Sequence, residues 1–126
     1  MCAFAAVLAG CDIVPQFYDN NEYMILAKIE TSSRLLRDEC VDINHDTTPR
    51  IEQLYETAEL FRTYTFYQPQ NKLVAEQGKI IADNIGELRM RERQGEPSAS
   101  YCQLKAETIT VAAQRVLSTI GNKTRR

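Results

Sequence analysis

Residues 19–40 read DNNEYMILAKIETSSRLLRDEC, and this stretch decides the fold. Asp19 is a good helix N-cap, and Glu22 three residues on completes a capping-box pattern. Tyr18 and Tyr23 flank the cap at the spacing of a hydrophobic staple. Leu26, Ile29, Ser33, Leu36 and Cys40 then recur at steps of three and four, which makes them one face of a helix ending near residue 40.

The same pattern recurs downstream. Residues 41–47 form a polar break, and Thr48-Pro49 starts a second helix, with proline where a missing N–H costs nothing. Ile51, Leu54, Tyr55, Ala58, Phe61 and Thr65 mark its inner face, and Pro69 ends it. A third helix is predicted from about Gln70 to Arg93, with Val74, Gly78, Ile81, Ile85 and Leu88 on one stripe. Gly78 and Gly86 each weaken that helix by about 1 kcal/mol relative to alanine, a cost that close packing against an aromatic of helix two would offset. Arg89, Arg91 and Arg93 suit the negative pole at its end. After the loop 95–98, Ser100 with Gln103 reads as a second capping box. Cys102, Ala106, Ile109, Ala113, Val116 and Ile120 form the last stripe, with Gly121 as its C-cap. Four helices of roughly 20 residues with short connections predict an all-α, antiparallel up-down four-helix bundle over residues 19–121. Residues 122–126 read as a tail.

Composition bounds what such a bundle does. In 126 residues, 44% hydrophobic and 25% charged side chains describe a folded single domain rather than a disordered chain. A formal net charge of −2, with no basic stripe interleaved with aromatics, argues against nucleic acid as a partner. The chain has one histidine, His45, and it falls in a loop. That excludes paired Glu-x-x-His motifs for a di-iron site and axial haem ligation from a helix, so no cofactor is expected. It also leaves no Cys–His or Ser–His–Asp arrangement. Asp42, Asn44 and Asp46 match the first ligand positions of a calcium loop, but Thr47 stands where glycine is required and Gln53 where glutamate is. The pattern reads as polar capping of a helix connection, with no metal site expected. Glu52, Glu56 and Glu59 are carboxylates at helical spacing, read as a solvated face. No catalytic residue is expected, and the chain is not read as an enzyme.

Ahead of the bundle lies a different kind of sequence. An apolar run over residues 3–7 leads into Leu8-Ala9-Gly10-Cys11, after which the chain turns polar. This resembles the lipobox of bacterial lipoproteins, in which the cysteine is lipidated and the preceding segment removed. The resemblance implies a signal segment over 1–10, lipidation at Cys11 and a tether over 11–18. About nine apolar residues are too few to span a bilayer, which needs roughly 20, but suit a signal core. A secretory signal normally carries Lys or Arg ahead of that core; none stands here, so a translation start further upstream is expected. Asp12 resembles the enterobacterial signal for retention at the inner membrane, which implies a periplasmic, membrane-anchored location.

Under that resemblance the cysteines divide simply. Cys2 leaves with the signal and Cys11 takes lipid, so Cys40 and Cys102 remain as an even pair in an oxidising compartment. An up-down bundle sets the end of helix one beside the start of helix four, which favours a disulfide over the alternative of two buried free thiols. A lipid anchor, four helices and a first-to-last cysteine bond together resemble the pilotin lipoproteins of secretion systems in architecture. Phe17 to Tyr23 separately resembles a segment of small lipoproteins encoded by tailed phages.

The remaining clue is aromatic. Tyr55, Phe61, Tyr64, Phe66 and Tyr67 place half of the chain's Phe and Tyr on helix two. Phe61 and Tyr64 are expected inside; Phe66 and Tyr67 either plug the bundle's end or offer a partner-binding surface. The expected function is a membrane-anchored periplasmic lipoprotein, acting as a non-enzymatic helical interaction module toward an envelope protein. Excluding superinfecting phage, modifying the envelope, or pilotin-like escort of a secretion subunit are tasks of that kind. The alternative is a cytosolic helical structural or assembly protein with an unprocessed N-terminus.

Overall fold

The computed structural model describes residues 19–67, 72–95 and 97–121. They form four helices: α1 (Asn20–Glu39), α2 (Thr48–Phe66), α3 (Lys72–Gln94) and α4 (Ala99–Gly121). Among the described residues there is no strand, and no helix is long and apolar enough to cross a membrane. The expectations at Cys11, Asp12, Tyr18, Pro69 and residues 122–126 lie outside the described residues.

Local sequence explains where the helices begin. The Asp19 carboxylate accepts hydrogen bonds from the backbone N–H groups of Asn21 and Glu22, satisfying two of the donors a helix start leaves open. In α2, Pro49 occupies the first turn, and Asp46 Oδ1 accepts from Thr48 N. The start of α4 differs from expectation. Ser98, not Ser100, caps it, its hydroxyl accepting from Tyr101 N, so the helix begins at Ala99. Its far end differs too. The left-handed glycine is Gly95, which ends α3 with φ of 148°, whereas Gly121 is simply the last residue of α4.

The predicted stripes are the core. Leu26, Ile29, Ser33 and Leu36 of α1 are buried, as are Ile51, Leu54, Ala58, Phe61 and Thr65 of α2. Val74, Gly78, Ile81, Ile85 and Leu88 of α3 and all six predicted residues of α4 join them. Each helix packs against two neighbours, with α1 closest to α4 and α2 closest to α3. Cross-helix contacts give the direction. Ser33 meets Thr110, Arg37 meets Glu107, and Cys40 meets Cys102, so numbers rise along α1 as they fall along α4. The other seams run with the same opposition: Glu52–Arg89 and Phe61–Gly78 across α2–α3, Glu39–Arg50 and Asp19–Tyr64 across α1–α2, and Asn84–Lys105 with Val74 beside Val116 across α3–α4. The bundle is therefore antiparallel throughout.

Two details bind the seams. Ser33 and Thr110 hydroxyls lie 2.7 Å apart inside the α1–α4 seam; each has a carbonyl of its own helix, Glu30 O or Ala106 O, as a further acceptor, so neither buried hydroxyl lacks a partner. In the α2–α3 seam, Gly78 faces the Phe61 ring; a Cβ there would stand 2.7 Å from Phe61 Cε2. The close approach predicted for Gly78 is thus real. Gly86 has nothing within 4 Å of where its Cβ would be, so packing does not account for it.

The two glycines should therefore respond oppositely to the same substitution. Gly78→Ala is expected to destabilise by about 1–3 kcal/mol through overpacking against a fixed ring. Gly86→Ala should be neutral or stabilise by up to about 1 kcal/mol through helix propensity. Urea denaturation of both variants checks this, and a destabilised Gly86→Ala beside an unaffected Gly78→Ala would contradict the described seam.

Candidate functional site

The two ends of the bundle differ in chemistry. At one end lie the last turn of α1, the start of α2 and the start of α4, joined by Cys40 and Cys102. These cysteines sit at disulfide-bonding distance with Cα atoms 5.7 Å apart, linking first helix to last. Cys102 is buried and Cys40 half-buried. Around them, Glu39 accepts from Arg50 at 2.8 Å, and His45 Nε2 lies 3.4 Å from the same carboxylate.

The carboxylates of the 42–46 loop serve the backbone. Asp42 Oδ1 accepts from Asn44 N and Asp46 Oδ1 from Thr48 N, each at 3.0 Å. The hydrogen bonds from the Thr48 backbone and then its hydroxyl hold the Asp46 pKa below the ordinary aspartate value. Among the described residues no cluster of three or more His, Cys, Asp or Glu side chains is arranged to hold a metal ion.

The carboxylates on α2 have arginine partners. Arg89 Nε donates to both oxygens of Glu52, and its guanidinium stacks 4.1 Å from the centre of the Tyr55 ring. Arg93 approaches Glu52 as well, and Arg62 donates to Glu59 at 2.7 Å. Arg89 thus cross-links α2 to α3 rather than only complementing the helix dipole. These pairs border a groove of about 640 Å³ between α2 and α3, floored by Ala82 and Gly86. Glu52 and Glu59 both accept from arginine here, in salt bridges at the groove's edge. A smaller groove, about 290 Å³, lies between α3 and α4 over Val74 and Val116.

The opposite end carries the aromatics. Phe61 is fully buried. Tyr64 is half-buried, and its hydroxyl donates to Asp19 Oδ2 at 2.7 Å, tying the last turn of α2 to the cap of α1. Asp19 therefore performs two tasks, one oxygen for the helix start and one for Tyr64. Phe66 and Tyr67 are 74% and 72% exposed, so they do not plug the end; their rings meet edge-to-face with centroids 5.0 Å apart. Nearby Glu22 is fully buried in the first turn of α1, where helix N–H groups favour a carboxylate. Its burial was not legible from a capping-box pattern, which places such a glutamate at the surface. The Tyr64–Asp19 bond was equally hidden, because it joins residues 45 apart.

Compared with protein-family models, curated proteins and solved structures, the chain matches none significantly.

Burial, and then the hydrogen bond to Asp19, push the Tyr64 pKa above the ordinary tyrosine value. The folded protein keeps this proton to higher pH than the unfolded chain. The stability it contributes is therefore complete below the ordinary tyrosine pKa and lost as pH rises through the raised value. Tyr64→Phe is expected to cost about 0.5–1.5 kcal/mol at neutral pH and to flatten the fall in stability at alkaline pH. Thermal melts of both proteins across the alkaline range check this; parallel losses in the two would contradict a role for the hydroxyl.

Proposed function

We propose that this chain is a lipid-anchored, non-enzymatic helical interaction module of a bacterial envelope, exported and acylated at Cys11. The observation that carries the reading is Leu8-Ala9-Gly10-Cys11 behind an apolar run and ahead of polar sequence. The pairing of Cys40 with Cys102 supports it, because structural disulfides persist in oxidising compartments and are rare in the cytosol. With those two cysteines engaged, Cys11 is the thiol that sits next to small residues at a cleavable junction.

A tethered bundle of this kind works by contact. Its resources are an exposed aromatic pair, two grooves between helices, and a rigid frame that presents them. Phe66 and Tyr67 are proposed as the contact surface, since exposed aromatics are enriched where proteins meet partners. Envelope modification or superinfection exclusion by a phage-encoded copy, and pilotin-like escort of a secretion subunit, all fall within this reading. Asp12 favours the periplasmic face of the inner membrane.

Expression in a bacterial host with labelled fatty acid is expected to label the protein, and globomycin should cause an unprocessed precursor to accumulate. Cys11→Ser should abolish labelling and release the protein from the membrane fraction. A wild-type protein that is unlabelled, soluble and still carries residues 1–10 would reject the reading in favour of a cytosolic helical protein.

A further inference from the structure

The tether and the aromatic pair leave the bundle from the same end. Antiparallel topology gathers the start of α1, the end of α2, the start of α3 and the end of α4 there, and the Tyr64–Asp19 bond joins two of them directly. Phe66 is the last residue of α2 and Tyr67 follows it, and their rings form one exposed knob. Leu73 at the start of α3 and Met24 in the second turn of α1 are exposed near the same end. Lys72, exposed, opens α3 at this end.

We infer that Phe66 and Tyr67 seat in the headgroup boundary of the bilayer that holds the Cys11 lipid, so that the bundle stands end-on with its disulfide end facing away. The inference rests on the lipid-anchor reading, and it names the membrane surface as what the aromatic pair contacts. Chain length limits the geometry. From Cys11 to Asp19 the backbone reaches at most about 26–29 Å. Asp19 caps α1, whose 20 residues rise about 30 Å. An inverted bundle would hold Asp19 at the limit of a fully extended tether, whereas the end-on pose needs no such extension.

Lying on its side would press ion-paired charge against the membrane, including Arg34–Glu30, Arg37–Glu107 and Lys79–Asp83. The end instead offers a phenyl ring and a tyrosine, whose apolar body and polar tip suit a membrane–water boundary. The disulfide end also exposes apolar side chains, Val41 and Ile43, but among charges of both signs: Asp38, Asp42 and Asp46 with Arg91 and Arg93. The acyl group supplies the hold, and the aromatic pair sets the orientation.

The chain has no tryptophan, so a single one reports cleanly. Full-length protein carrying Tyr67→Trp is compared with Ile43→Trp, a site 96% exposed at the opposite end. Both are reconstituted into vesicles of phosphatidylethanolamine and phosphatidylglycerol brominated near the top of the acyl chains, and acylation of Cys11 is determined by mass on the same material. A side chain at the headgroup boundary lies about 5–10 Å deep, so emission from position 67 should shift to the blue and fall roughly twofold. Emission from position 43 should be unchanged, which controls for tryptophan's own affinity for lipid.

No quenching at 67, or equal quenching at both sites, overturns the inference. A blue shift at 67 seen in native envelope membranes but not in protein-free vesicles also overturns it and assigns the pair to a protein partner. If mass shows Cys11 unmodified, the anchor reading fails separately. The unacylated chain added to the same vesicles then still decides the pair, with selective quenching at 67 supporting lipid contact and its absence excluding it.

Discussion

The seam between the first and last helices is the constraint on which the structure depends. A chain of four helices closes into a bundle only if α1 and α4, farthest apart in sequence, come together. Three kinds of interaction hold that seam: apolar burial of Leu26, Ile29 and Leu36 against Ala106, Ile109 and Ala113, the Ser33–Thr110 hydroxyl pair, and the Cys40–Cys102 link. With a sequence separation of 62, the link removes loop entropy from the unfolded chain worth on the order of 4 kcal/mol in the chain-entropy treatment. That is a large share of the 5–15 kcal/mol typical of a domain's stability. Arg37–Glu107 and Gln114–Glu30 add register on the rim, where solvent keeps each contribution small.

The second seam, α2 against α3, is built differently. It lacks a covalent link and relies on shape: the Phe61 ring lies against the missing side chain of Gly78, and Arg89 bridges to Glu52 over the Tyr55 face. Because α2 spends Phe61 inside, its last aromatics have no core position left. Phe66 and Tyr67 fall past the buried turn ending at Thr65, so they emerge at the end where Asp19 begins the bundle. Packing of the core thereby decides which aromatics are available for contact and where they point.

How much of this was legible depended on the range of the interaction involved. Stripes at steps of three and four located nearly every buried apolar residue, because a helix face is a local property of sequence. Cys40 and Cys102 were legible once topology paired their helices. Helix ends were less so. Ser98 and Ser100 are both acceptable caps on propensity, and only Pro97 just before Ser98 hinted that the helix starts early. Likewise Gly95 and Gly121 are alike as residues; the tight α3–α4 connection, not the sequence, makes Gly95 the one in the left-handed region. Tyr64–Asp19, Arg89 over Tyr55 and the burial of Glu22 required three-dimensional proximity between distant residues, which periodicity does not encode. The exposure of Phe66 and Tyr67 stood between: a four-residue run at 64–67 cannot share one face, but its burial at the bundle end was open until the fold was seen.

The fold and the proposed workplace meet at one chemical state, that of Cys40 and Cys102. A disulfide closing this bundle would fit the proposed location outside the cytoplasm, since structural disulfides persist in oxidising compartments. The decisive measurement is thiol mapping in intact host cells: free thiols are blocked before lysis, and the digested protein is analysed with and without reduction. The account predicts a single cross-linked peptide pair containing Cys40 and Cys102, with neither cysteine blocked until a reductant is added. Both cysteines alkylated in unreduced cells would contradict the covalent closure of the seam and, with it, the proposed placement of this protein outside the cytoplasm.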